Sequence, residues 1–384
     1  MTAKMRMMKQ ARRESKSMTS DNRKTVHEPL FHIAKRTSLT WWKAWIIRIA
    51  SVLLALIACG IVTILLTHQN PIDVYITMFN GAFGTPRLIW SLLQNIAMLL
   101  CVALAVTPAF KMRFWNLGAE GQVLIGGLAT ASCMIFLGNK LPTPLLIIVM
   151  VAASVLASCI WALLPALFKA KWNANETLFT LMMNYIAMQL VAYYTNEWAV
   201  PKGSGTLGII KQGWLPAIGR YTYLLNIIIV ALLTVFMFVY LKYSKHGYEI
   251  AVVGESENTA KYIGINVNHV VVRTMLLSGA ICGIAGLLLV GGTDHTLSRD
   301  TVGGRGFTAV MVSWLAKFNP IFMIITSFLI VFLQKGAIRI SETFNLNKSF
   351  SDMLTGIIIF FIIGSEFFIN YQIKLTKSHK EASK

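Results

Sequence analysis

Charge is scarce in this sequence, and acids are scarcest. Only 16 Asp and Glu stand against 35 Lys and Arg, and the four together make 13% of 384 residues. An ordinary soluble domain carries about twice that share of charge, so a soluble class is excluded. Regular alternation of apolar and polar residues is missing too, which excludes a transmembrane β-barrel. The five cysteines, Cys59, Cys101, Cys133, Cys159 and Cys282, lie singly inside apolar runs. That spacing rules out a disulfide framework and a thiolate metal site, and leaves them as small packing residues. No G-x-x-x-x-G-K-[ST] phosphate loop, H-E-x-x-H pair or Cys–His cluster occurs. The chain therefore has no ATP site of that kind and reads as no enzyme by itself.

Apolar surface is what the chain has in abundance, at 55% of its residues. Runs near or above about 18 apolar residues, enough to cross a bilayer as a helix, recur along it. The class is an all-α polytopic membrane protein of about ten transmembrane helices, some short or broken, with both termini cytoplasmic. Residues 1–43 form a basic tail in which Lys4, Arg6, Lys9, Arg12, Arg13 and Lys16 crowd together. A cleavable signal would reach its apolar core at once, so this segment reads as a cytoplasmic tail, disordered or lying on anionic lipid. The net charge of +19 sits in this tail and in short turns, the pattern of a membrane protein rather than of a nucleic-acid binder.

The transmembrane domain covers residues 44–373. Full spans read at about 44–67, 88–110, 116–137, 145–168, 176–194, 221–241, 274–292 and 353–373. Residues 68–87 read as an outer or re-entrant loop, 201–220 as an outer loop or surface helix, and 293–305 as a polar outer loop. Two apolar pieces, 306–316 and 320–333, are each shorter than a crossing and read as tilted helices or a re-entrant pair. The basic turns at Lys111/Arg113, Lys169/Lys171 and Lys242/Lys245 all fall on one side, which the positive-inside rule makes cytoplasmic. That places the loop 242–273 in the cytoplasm, with residues 374–384 as a second cytoplasmic tail.

Three stretches carry polar groups in patterns that ask for a reason. In Phe114–Gly127, Asn116 is placed to cap a helix whose first turn holds Glu120, while Gln122 and four glycines follow. It reads either as a pore-lining helix or as a well-capped helix with a tightly packed glycine face. In Asn173–Ala187, Glu176, Thr180 and Asn184 recur every four residues and share one helix face. That stripe lines a path or a subunit seam, or else bonds helix to helix. The third stretch, Tyr248–Asn268, is the longest polar break. Ser256 is a plausible N-cap, Glu257 falls in the first turn and Gly264 suits a left-handed C-terminal stop. A helix so short, about seven residues over Glu257–Ile263, does not stand alone in water and must dock on something.

Taken together and in order, these stretches resemble one family. N-L-G-A-E-G-Q opening a span, N-E-x-x-x-T-L-M-x-N-Y-I-A, and G-x-x-x-N-x-A-x-Y-x-G-I resemble the permease subunits of ABC importers for ribose, branched-chain amino acids and nucleosides, nearest the nucleoside branch. Gly306–Pro320 matches the penultimate region of the same family. The likeness covers about residues 45–372. The first two stretches are read as setting Asn116, Glu120, Gln122, Glu176, Thr180 and Asn184 at the translocation path or a subunit seam of such a permease. The likeness implies that Gly254, Glu257, Asn258, Ala260, Tyr262, Gly264 and Ile265 form the coupling helix that enters a groove of the ATPase. The implied partners are a second permease subunit, an ABC ATPase with two nucleotide-binding domains that uses ATP and Mg, an extracytoplasmic solute-binding lipoprotein, the nucleoside itself and the lipid bilayer. No cofactor is implied for this chain. Ala251, Val252, Ser256 and Thr259 depart from the usual family residues before and within the coupling helix.

The residues fit a neutral solute. No full cluster of charge is expected at mid-membrane, whereas Gln94, Asn95, Gln122, Thr180, Asn184 and Gln189 offer amides and hydroxyls. A nucleoside adds a need for aromatic surface; ribose or another simple sugar needs less. The rival classes are an ion-coupled secondary transporter using Glu120 or Glu176, and a membrane subunit with no solute of its own.

Overall fold

The computed structural model describes residues 31–36, 40–67, 70–200, 202, 207–219 and 223–375. Most of the basic N-terminal tail and residues 376–384 of the C-terminal one lie outside these. In chain order the elements are β1 (Phe31–Lys35), α1 (Trp41–Thr67), α2 (Pro71–Phe83), α3 (Pro86–Lys111), α4 (Ala119–Leu137), α5 (Thr143–Trp172), α6 (Glu176–Trp198) and α7 (Leu224–Tyr243). They continue with α8 (Lys245–Glu255), α9 (Glu257–Tyr262), α10 (Val267–Leu289) and a π-helical turn (Val290–Asp294). The last are α11 (Arg305–Leu315), α12 (Pro320–Thr343), α13 (Lys348–Asn370) and β2 (Tyr371–Leu375).

Eight of the described helices are long and apolar enough to cross a membrane: α1, α3, α4, α5, α7, α10, α12 and α13. The helix α6 has the length but is too polar to count among them, and α11, with 11 residues, is a half-span. Two expectations change here. The piece expected to end at Leu333 runs on to Thr343, because Gln334 and Lys335 are carried inside the helix instead of marking its end. The stretch 68–87 contains a 13-residue helix, α2, with Pro71 in its first turn and Asn70 accepting a hydrogen bond from the Ile72 amide at 3.1 Å.

The chain divides into two compact units. One holds residues 52–363, and the other residues 1–51 with 364–384. In the second, β1 and β2 pair antiparallel with Ala34 opposite Gln372, and Arg48 bridges Glu366 at 2.6 Å. The two described tail segments therefore meet, and residues 31–35 are a strand where an unstructured tail was expected. This pair is the exception to an otherwise helical chain among the described residues.

Within residues 52–363, α10 is buried along most of its length and packs on α3, α4 and α5. Glycines make that approach close. A β-carbon on Gly283 would stand 2.6 Å from the Ser154 carbonyl oxygen of α5, and one on Gly286 2.5 Å from the Gly127 amide of α4. Small residues at such seams let helix backbones touch where lipid gives no hydrophobic push between them. A second cluster joins α1, α2, α12 and α13 through Ala55, Val74, Met78, Ala337 and Leu354. Outward faces are apolar, as with Ile57 and Ile61 on α1, Ile148 and Ile160 on α5, and Leu232 and Val239 on α7. Residues 207–215 form neither helix nor strand and are tied to the π-helical turn. The Leu215 amide donates to the Gly291 carbonyl at 2.9 Å, and the Trp214 and His295 rings stack at 4.0 Å.

Candidate functional site

Residues 113–118 lead from α3 back into the bundle, and there the first two polar stretches meet. Asn116 is fully buried. Its Nδ2 donates to Ser278 Oγ of α10 at 3.1 Å, and its Oδ1 accepts from the Gly118 amide at 3.0 Å and from Gln122 Nε2 at 3.4 Å. From α6, Asn184 Oδ1 accepts from the Gly121 amide at 2.8 Å while its Nδ2 donates to the Leu117 carbonyl at 2.7 Å. Thr180 Oγ1 accepts from the Leu117 amide at 3.2 Å and donates to the Glu176 carbonyl at 2.7 Å. The Gln122 carbonyl accepts from Ser158 Oγ at 2.6 Å, and its side-chain oxygen is buried with no partner among the described residues. Ser278 and Ser158 lie near the middles of α10 and α5, so the network occupies the middle of the bundle.

Glu120 acts away from its own helix. Its Oε1 accepts from the Gly304 amide at 2.8 Å and its Oε2 from the Gly306 amide at 2.7 Å, so the carboxylate caps the start of α11. Orphan amides and the positive end of the helix dipole both favour a carboxylate there. The chain must come very close for this. Gly304 has φ +74°, and a β-carbon on Gly306 would lie 2.6 Å from the Glu120 amide nitrogen. Five of the six path-or-seam residues thus come together. The carboxylate of Glu176 stands apart, paired with Lys169 at 2.9 Å beside the α5–α6 turn.

A second polar group was not foreseen. Arg305 opens α11, and its guanidinium donates to Asn95 Oδ1 of α3 at 3.0 Å. Lys335, well inside α12, donates to Ser91 Oγ of α3 at 3.3 Å. The sequence signal was the Gly-Gly-Arg-Gly run directly before an apolar stretch, together with the apolar residues that resume after Lys335. Beside these, Gln94 Nε2 and Asn226 Nδ2 both donate to Thr293 Oγ1, at 2.5 and 3.2 Å. The π-helical turn presents Thr293 to them; such turns recur at functional positions. On α11, Trp314 meets Trp115 with ring centres 5.3 Å apart.

The third stretch is a pair of short helices. Ser256 ends α8 and caps α9, its Oγ accepting from the Thr259 amide at 3.2 Å, and Gly264 follows with φ +84°. The Ser256 and Thr259 departures therefore keep the cap. Gly254 is pressed onto the end of α3, where an added β-carbon would lie 2.1 Å from the Lys111 carbonyl oxygen. Ala260 is buried, and its carbonyl accepts from the Ile265 amide at 2.9 Å. The other face is bare. Glu257, Asn258 and Gly264 are exposed, Ile265 is half-buried, and Tyr262 is 93% exposed. Behind the pair, Glu249 of α8 bonds Arg273 at 2.7 Å, which holds its carboxyl below the usual carboxylate range.

Comparison with known proteins shows the family. The family described as "Branched-chain amino acid transport system / permease component" matches residues 88–363. The guanosine ABC transporter permease protein of Bacillus subtilis is 27% identical over 318 residues, covering 80% of this chain and 90% of that one. The glucose ABC transporter permease protein of Haloferax volcanii is 25% identical over 355 residues, 88% of this chain and 92% of its own. The nucleoside ABC transporter permease protein of Lactococcus lactis is 25% identical over 340 residues, with shares of 85% and 93%.

Proposed function

The chain belongs to the family of branched-chain amino acid transport system permease components, and on that premise we propose that it is the membrane subunit through which an ATP-driven importer passes a nucleoside. The observation that carries the coupling half of this reading is α9. Its inner residues are fixed to the bundle, its outer face is bare, and Tyr262 stands out from it at 93% exposure. A six-residue helix is too short to persist by itself in water, so a face held ready in this way suits a partner that grips it.

On this reading the α8–α9 side is cytoplasmic, as are both tails. An ATPase with two nucleotide-binding domains holds ATP and Mg and docks on Glu257, Asn258, Tyr262, Gly264 and Ile265. This chain contributes no hydrolytic site. A second permease subunit completes the path, and an extracytoplasmic lipoprotein delivers the solute. ATP binding moves α9, Gly254 passes the movement to α3, and the joint of α4, α6 and α11 around Asn116, Glu120, Gln122, Thr180 and Asn184 rearranges to alternate access. Glu176, at the edge of that joint, falls to the subunit seam.

The nucleoside is favoured by the names of two relatives and by the mixture of amides, hydroxyls and aromatic rings in the bundle. A sugar is the second reading, supported by the glucose permease among the relatives. Uptake of labelled guanosine and uridine by the reconstituted complex, with glucose as competitor, separates them. Competition by unlabelled nucleosides and none by glucose is expected. Uptake of glucose in preference to any nucleoside would overturn the assignment.

A further inference from the structure

One stretch of the long helices breaks the apolar pattern of the outward faces. Ser91 and Asn95 are four residues apart on α3 and so share a face. Lys335 of α12 donates to the first at 3.3 Å and Arg305 of α11 to the second at 3.0 Å, while Asn95 Nδ2 donates back to the Ser91 carbonyl at 2.7 Å. The anchors of the two cations are thus about one helical turn apart along α3, roughly 6 Å. Among the described residues no carboxylate lies within ion-pair distance of either, although the carboxyls of Asp294 and Glu120 act on Arg305, and that of Glu342 on Lys335, from farther away. Arg305 places its remaining bonds on the Thr301 and Val302 carbonyls, and the nearby Glu120 carboxylate is already held by two amides. Lys335 has three ammonium hydrogens and one neutral partner.

All four residues are half-buried, so none is sealed from its surroundings. Arg305 is the first residue of α11, but Lys335 does not sit at a helix end, since eight further residues of α12 lie beyond it. A lysine inside a spanning helix, with an arginine beside it, is costly against hydrocarbon and marks a water-filled path or a polar contact. The group is also built rather than incidental. Arg305 is set by Gly303 and Gly304, both at positive φ, and by the Glu120 cap, and Asn95 is oriented by its own bond to Ser91.

From this arrangement we infer that the face formed by Ser91, Asn95, Arg305 and Lys335 lines the solute path, and that its two cations select solutes presenting acceptor oxygens and reject solutes carrying positive charge. The inference rests on the proposed import function and extends it to specificity. Base carbonyls and ribose hydroxyls supply such oxygens, and an ammonium on the solute would meet like charge that the carboxyls of Asp294, Glu120 and Glu342 offset only from beyond ion-pair distance.

The test uses the assembled complex in proteoliposomes and compares uptake of uridine with uptake of a uridine analogue bearing a protonated amine. The wild type should prefer uridine by about tenfold or more, Lys335→Arg should keep that preference, and Lys335→Gln should narrow it to within about threefold. A Lys335→Gln complex that transports uridine with an unchanged preference overturns the inference. Should that variant fail to assemble or transport, Lys335→Cys in a background with the five native cysteines replaced decides it. An anionic thiol reagent should then label it at least about fivefold faster than a cationic one of similar size, because Arg305 remains alongside. Equal rates, or no labelling because a partner subunit covers the face, overturn it. If the wild type carries no nucleoside at all, the import reading fails, and the labelling preference still judges the cationic path separately.

Discussion

The joint around Asn116 and the α8–α9 pair are both polar interruptions of an apolar chain, yet they use their polar groups in opposite ways. In the joint, Asn116, Glu120, Thr180 and Asn184 are turned inward and bonded to groups of this chain, mostly backbone amides and carbonyls of other segments. In α9, the bonds are short-range, Ser256 to Thr259 and Ala260 to Ile265, and the remaining side chains face outward. Polar groups that join distant segments hold a fold, while groups left over after local capping are available to a partner. Mutations should separate the two regions on that ground.

The largest effect is expected at Glu120. Glu120→Ala leaves the Gly304 and Gly306 amides without their acceptor and should cost about 2–4 kcal/mol, read as a fall in Tm of the detergent-purified protein. A Tm within a degree or so of wild type would dissolve the contrast. Next comes Asn184→Leu, which removes two hydrogen bonds and strands the Gly121 amide, for about 1–3 kcal/mol in the same assay.

Acid should act more gently, and on the α8–α9 side. The carboxyl of Glu249 is depressed by its bond to Arg273, so its stabilising contribution is present above the ordinary carboxylate pKa of about 4.3 and is lost as pH falls through the lower folded value. The Tm of wild type should drop faster than that of Glu249→Gln below about pH 4. Parallel curves would remove the ion pair from the argument. The smallest effect on stability belongs to Tyr262→Ala, within about 0.5 kcal/mol, because the residue is 93% exposed. Solute-stimulated ATP hydrolysis by the complex should nevertheless fall by about tenfold or more. Loss of Tm together with normal stimulation would reverse the comparison.

What could be read from the sequence followed the range of the interaction. The α9 cap was legible because Ser256, Glu257 and Gly264 act within a few residues, and local chemistry fixed where the helix starts and stops. The shared face of Thr180 and Asn184 was legible from their spacing, but not the partner, since Leu117 is brought there by tertiary packing. Glu120 was read as serving its own first turn, and no local pattern announces that it serves a helix nearly two hundred residues on. Lys335 was misplaced because a lysine after an apolar run resembles a span end. Only its bond to Ser91 shows why the helix can carry it through.

The contact of Gly254 with the Lys111 carbonyl has a mechanical meaning. Long side chains between two helices act as springs, bending through their rotamers before force is passed on. Here backbone lies against backbone, and not even a methyl group would fit between. Such a joint has no play. A push on α8 should arrive at the end of α3 without delay or loss of stroke, so that probes placed on the two should report one movement.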